Sequence, residues 1–146
     1  MFIFGGGDSA LDWTVELAKV AKTISLVHRR DEFRGAQHTE AQMRELVKTG
    51  GVKLLTPFQI ESIQGADKVI GVTLKNFDTK ENVAKEADEL LFLFGLNKKL
   101  GPILDWELEL EQKKISVNTE NFETSRDGIF AVGDINDYPG KLDLIL

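Results

Sequence analysis

The sequence predicts an α/β fold in which a doubly wound parallel sheet is interrupted by an antiparallel β-meander. Three observations carry this. Short apolar or β-branched runs alternate with stretches of helical periodicity through the first third of the chain, the alternation of a βαβ unit. Two strand-like runs, 52–63 and 68–77, meet at "QGAD", a hairpin signal. The run "ELLFLFG" at 89–95 is apolar throughout and ends at glycine, the pattern of a strand covered on both faces.

Taken in order, Phe2 to Phe4 end a first strand. Asp8 or Ser9 caps a helix running to about Ala21, with Ala10, Trp13, Leu17 and Val20 as its apolar face. "TISLVH" (23–28) is a β-branched strand. A second helix spans 38–51: Thr39 and Gln42 match a capping box and Gly50 marks the stop. "NFDTKENVAK" is a polar turn followed by a third short meander strand. No internal repeat or low-complexity segment is present. After Gly95 the character changes. A charged connector carries Gly101-Pro102, and two short strands follow, the second ending in Gly133-Asp134. The expected division is therefore 1–95 and 96–146. Only Met1 to Phe4 precede the first glycines and the sequence stops on "LIL", so both ends are expected to be cut.

Of the 146 residues, 42% are hydrophobic and 29% charged, enough for one ordinary core. A formal charge of -6 argues against nucleic acid as the main partner, since phosphate backbones need a basic surface. The absence of cysteine excludes disulfide and thiolate chemistry from this chain. No apolar run reaches the roughly 20 residues of a membrane span, and no leader sequence is visible. The expectation is a cytoplasmic chain without a membrane partner.

The chemistry concentrates in two stretches. In "GGGDSA", Gly5, Gly7 and Ala10 fit the G-x-G-x-x-G/A fingerprint at a strand-to-helix junction, with Gly6 and Ser9 between them. Gly5 permits the tight turn, Gly7 lets backbone approach a pyrophosphate, and Ala10 lets helix and strand pack closely. The helix N-terminus adds free N–H groups and partial positive charge. Asp8 is expected to cap the helix or bind sugar, because a carboxylate there opposes an anion. An acidic residue about 20 positions further on would select NAD by its ribose hydroxyls. That place instead holds His28, Arg29 and Arg30, with Arg34 a turn later. Guanidinium forks suit a 2′-phosphate, so the expected ligand is NADP(H). Neither His28 nor His38 has a partner at a recognisable catalytic spacing, and no catalytic side chain is assigned. Trp13 and Trp106 are read as packing residues, and "DELL" and "ELELEQ" as solvated faces.

"GGGDSALDW", "HRRDEFR", "LGPILDWEL" and "TSRDGIFAVGDINDYPGKLDLI" together resemble the thioredoxin reductase-like ferredoxin/flavodoxin–NADP⁺ oxidoreductases, over nearly the whole chain. These are flavoproteins with two Rossmann-like domains, one inserted in the other. The resemblance implies that residues 1 to about 95 form the NADPH-binding domain. Gly5, Gly7, Asp8, Ser9 and Ala10 would then lie at the nicotinamide–pyrophosphate side, and His28, Arg29, Arg30 and Arg34 at the 2′-phosphate. It implies that the segment from about 115 onward is the returning part of an FAD domain. There Gly133 and Asp134 match a pair that bonds the FAD ribityl chain, and Lys141 and Leu142 match positions near the flavin ring. The first half of that domain is absent, so this chain is expected to be an NADP(H)-binding fragment with little activity alone. The implied parent enzyme exchanges hydride between NADPH and FAD, and single electrons with ferredoxin or flavodoxin, as a homodimer.

Two rivals stand beside this reading. Thioredoxin reductases share "GGGDSA" and "HRR" but carry a redox Cys-x-x-Cys, while "DW" after "GGGDSAL" is similar to the ferredoxin-reductase branch. The other rival is a stand-alone nucleotide-binding or interaction module with no redox role.

Overall fold

The computed structural model describes residues 1–95 and 99–141. The chain divides into two compact units at Gly95.

The first unit is built in three layers. Its middle layer is a four-stranded parallel sheet of β1 (Phe2–Gly5), β2 (Ile24–Val27), β3 (Val52–Leu55) and β7 (Leu90–Leu93), in the order β3-β2-β1-β7. Helices α1 (Asp8–Leu17) and α2 (Gln37–Lys48) make the crossovers. The third layer is the antiparallel meander β4 (Phe58–Gly65), β5 (Val69–Asn76) and β6 (Asn82–Glu86).

Strand alternation assigns the two faces of the parallel sheet. Ile3, Ile24, Leu26 and Val52 pack with Ala10 and Leu11 of α1 and Met43 of α2. Phe2, Phe4 and Val27 point the other way, against Val72, Leu74 and Ala87 of the meander side. Both faces of β1 and β2 are thus covered, which is why every residue of these short strands is buried, Ser25 of β2 included.

Several boundaries differ from expectation, each for a local reason. Residues 52–63 are two strands, not one. Pro57 cannot donate to a ladder, and the chain leaves the parallel sheet at Thr56-Pro57 to enter the meander. Helix α1 ends at Leu17, and its buried stripe is Ala10, Leu11 and Thr14. Trp13 is 50% and Val20 80% exposed, so neither belongs to that stripe. Thr14 is tolerated inside because its hydroxyl donates to the Ala10 carbonyl at 2.6 Å. Among the described residues no side chain caps either helix. Gly7 is the N-cap of α1 and Ala36 that of α2, so Thr39 and Gln42 lie inside α2 rather than forming a capping box. Gly50 does follow the helix, at φ +82°. Among the described residues strand β7 pairs with β1 and stands at the sheet edge, and the run expected to be covered on both faces leaves Phe92 40% exposed.

The second unit is smaller. Strands β8 (Leu110–Glu111), β9 (Lys114–Ser116) and β10 (Asn136–Asp137) form one sheet, with β8 antiparallel and β10 parallel to β9. The second strand expected before Gly133 is only an isolated bridge, Glu123 to Phe130. The charged connector instead contains a short 3-10 helix, Gly101–Trp106. Leu100, Leu108, Ile115 and Ala131 form its buried cluster. Trp106 is half-exposed, not packed inside. Among the described residues, no helix is long and apolar enough to cross a membrane.

Candidate nucleotide-binding site

The carboxyl ends of β1 and β2 bring the two sequence motifs together. The glycine turn leaves β1 at Gly5, and the arginine loop leaves β2 at His28. Between them runs a strap: the Arg34 N–H donates to the Gly6 carbonyl at 2.7 Å, and the Ala36 N–H donates to the Asp8 carboxylate at 2.7 Å.

Each glycine of the turn does something different. A Cβ on Gly5 would lie 2.4 Å from the Leu93 carbonyl oxygen of β7 and 2.8 Å from the Ala10 Cβ. Gly5 therefore lets strand and helix close on one another, and Ala10, fully buried, completes that contact. A Cβ on Gly6 would collide with the His28 ring at 2.4 Å. Gly7 has nothing within 4 Å of such a position. Its open side lies at the start of α1, where the first backbone N–H groups have no side-chain cap. Asp8 and Ser9 occupy that first turn, half-buried.

His28 packs between Gly6 and Phe33, whose ring centroid is 5.3 Å away. Burial, then the neighbouring Arg29, hold its imidazole below the ordinary value. Arg30 and Arg34 act in the same direction, and a backbone hydrogen bond at Glu32 opposes them. The side chains of Arg29, Arg30 and Arg34 are exposed, and none has an acidic partner among the described residues. In a protein of net charge -6, three unpaired guanidinium groups on one loop are a concentrated exception.

A fourth arginine was not singled out from sequence. Arg44 of α2 donates from Nε to Glu40 at 2.8 Å and from a terminal nitrogen to the Asp31 carbonyl at 3.1 Å. It also lies 5.5 Å from the Phe33 ring centroid. It braces the arginine loop from behind. The Glu40-to-Arg44 spacing of one helical turn was the available signal. His38, on the first turn of α2, is exposed.

The second glycine turn is built differently. Gly133 has φ +82° and begins a short 3-10 turn with Asp134 exposed. The Lys141 ammonium donates to the Gly133 carbonyl at 2.7 Å, the Asn136 carbonyl at 2.7 Å and the Asn136 side-chain oxygen at 2.6 Å. Buried Asn136 donates in turn to the Ala131 carbonyl at 2.9 Å. Leu142 lies outside the described residues. No group of three or more His, Cys, Asp or Glu able to hold a metal occurs among the described residues.

A parallel sheet with an uncapped glycine turn strapped to an arginine loop defines a nucleotide-binding α/β class. The chain belongs to the pyridine nucleotide-disulphide oxidoreductase family, whose model matches residues 1–145. It is 51% identical over 144 residues to a ferredoxin–NADP reductase of Pelagibacter ubique, covering 99% of this chain and 42% of that protein. It is 54% identical over 145 residues to one of Beijerinckia indica, covering 99% of this chain and 41% of the other. The chain thus spans about two-fifths of the length of these curated relatives. Among solved structures, Lactococcus lactis thioredoxin reductase superposes with TM-score 0.80 at 25% identity, covering 97% of this chain and 46% of that one. Thioredoxin reductase of T. acidophilum shares the fold with TM-score 0.80 at 21% identity, over 98% of this chain and 45% of that one.

Proposed function

We propose that residues 1–95 are the NADP(H)-binding domain of a flavin-dependent ferredoxin–NADP reductase, and that residues 96–146 are part of its FAD domain. The observation that carries this is the loop of Arg29, Arg30 and Arg34, without acidic partners, hydrogen-bonded to an uncapped glycine turn. The guanidinium groups supply paired donors for a 2′-phosphate, and the α1 N-terminus with Gly7 supplies backbone donors for the pyrophosphate. Gly5, Gly6 and Ala10 shape that turn, and Ser9 adds a hydroxyl at its rim. Relatives about half identical in sequence bear the name ferredoxin–NADP reductase, which supports a ferredoxin-type electron partner.

A flavin, when bound, supplies the hydride and single-electron chemistry. The exposed Asp134 carboxylate beside Gly133 fits the hydroxyl-rich chain of such a group as a hydrogen-bond acceptor. Lys141 holds that turn in shape through its three oxygen contacts. The work of the chain's own residues is to bind and orient the coenzyme, and no side chain is needed to move a proton. A homodimer in the cytoplasm, with ferredoxin or flavodoxin as partner, completes the proposal.

The likeness in fold to thioredoxin reductases supports a second reading, the NADPH domain of such an enzyme. Both readings require the same coenzyme site. Calorimetric titration of the chain with NADP⁺ and NAD⁺ tests it. NADP⁺ is expected to bind more tightly, and Arg29→Ala with Arg30→Ala to weaken it about a hundredfold, each charged hydrogen bond contributing roughly 1.5 kcal/mol. Equal affinity for the two coenzymes, or an indifferent double variant, would sink the reading.

A further inference from the structure

Asp8 is the one charged residue of the glycine turn, and its sign is wrong for an anion site. The strap explains its presence. Asp8 Oδ1 accepts the N–H of Ala36, a residue 28 positions away and the N-cap of α2. One step along the same strap, the Gly6 carbonyl accepts the N–H of Arg34. Gly35 between them is closely covered: a Cβ there would stand 2.5 Å from the end of the Leu11 side chain and 3.3 Å from the Asp8 backbone. The segment 34–36 is therefore seated against the first turn of α1, and among the described residues Asp8 is the only side chain that bonds it there.

We propose that Asp8 is a positioning residue that sets the spacing between the two phosphate subsites and takes no part in ligand contact. This rests on the NADP(H) reading above. In NADP⁺ the pyrophosphate and the 2′-phosphate stand at a separation limited by the nucleotide. The backbone donors of α1 and the guanidinium groups of Arg29, Arg30 and Arg34 can engage both together only if the two loops are held in register. The Asp8 to Ala36 bond supplies that register. Its role is discrimination between NADP⁺ and NAD⁺, because only NADP⁺ uses both subsites.

Three variants test this. Asp8→Ala removes the acceptor. Ala36→Pro removes the donor while leaving the carboxylate, and Ala36 already has φ -57°, close to the angle proline imposes. Asp8→Asn removes the charge and keeps an acceptor oxygen. Each is checked for fold by circular dichroism and titrated with NADP⁺, NAD⁺ and 2′-AMP, which carries the 2′-phosphate alone. Preference for NADP⁺ over NAD⁺ is expected to fall about tenfold in Asp8→Ala and in Ala36→Pro, the upper end of what one ordinary hydrogen bond contributes. Asp8→Asn is expected to keep that preference, and 2′-AMP is expected to bind alike throughout. A merely structural role would lower the unfolding temperature without moving this ratio. Loss of preference in Asp8→Asn equal to that in Asp8→Ala would overturn the proposal. So would an Ala36→Pro variant that keeps the preference while Asp8→Ala loses it, since the carboxylate would then touch the ligand. A wild-type chain with no preference for NADP⁺ would remove the underlying reading first, and this shows before any variant is made.

Discussion

The two glycine turns of this chain carry cations in opposite ways. At Gly5 to Gly7 the arginines stand free of acidic partners among the described residues, and the backbone is braced by others: the Asp8 carboxylate, the Arg34 N–H and, behind the loop, Arg44 with Glu40. At Gly133 the nearby cation, Lys141, is itself the brace, its ammonium surrounded by three oxygens of its own loop. The glycines differ too. Gly5 is required by space as well as by its φ of +156°, with a carbonyl oxygen 2.4 Å from where a Cβ would sit, whereas Gly133 is required by conformation alone, at φ +82° with nothing nearby. A cation with its own acceptors shapes a turn, while a cation left unpaired beside free backbone donors has a use outside the chain.

That contrast breaks apart under substitution. Gly5→Ala should be the most damaging change, about 3 kcal/mol, because the clash is with backbone that cannot rotate away. Gly133→Ala should cost only about 1 kcal/mol, the penalty of a left-handed residue. Urea unfolding of both variants measures the difference, and equal losses would erase the distinction. Between these two in size, Lys141→Met should destabilise by about 1 to 2 kcal/mol, since the Asn136 and Gly133 oxygens lose a charged donor. Arg29→Ala should leave unfolding at neutral pH unchanged, its side chain having no hydrogen-bond or ion-pair partner among the described residues. Thermal melts of the two variants together decide whether the cations differ as described.

The smallest effect is one of pH. The imidazole of His28 is held below its ordinary value by burial and by Arg29. As pH falls through the unfolded value of about 6.5, the unfolded chain takes up a proton that the folded chain resists. Stability attributable to His28 is therefore complete above that pH and lost below it, until the lowered folded value is reached. His28→Gln should flatten this part of a stability profile taken from about pH 8 to about pH 5. An unchanged profile would show that His28 carries no such linkage.

How much of this could be read from sequence follows the range of the forces. The βαβ alternation, the glycine turn, the arginine loop and the meander were legible because each is written in neighbouring residues. The break at Thr56-Pro57 was visible as a proline yet overridden by the apolar run around it. Capping is not legible locally, because Asp8, a good cap in isolation, is drawn to Ala36 by tertiary structure. Trp13 fitted the helical period, but the sheet faces the neighbouring stripe of Leu11 and Thr14. The edge position of β7 depends on a partner strand far along the chain, and no local pattern encodes it. The three oxygens around Lys141 lie within eight residues, but the fold of their loop, not a residue pattern, turns them toward the ammonium.

The central claim is that Arg29 and Arg30 face a 2′-phosphate. It is tested most directly by phosphorus NMR of NADP⁺ titrated with pH in the presence of the chain. The 2′-phosphate has its own resonance and an ordinary second ionisation near about pH 6. Bound beside guanidinium groups, that ionisation should move to lower pH, and Arg29→Ala with Arg30→Ala should restore it. A 2′-phosphate that titrates as in free NADP⁺ while the pyrophosphate resonance shifts on binding would contradict the account.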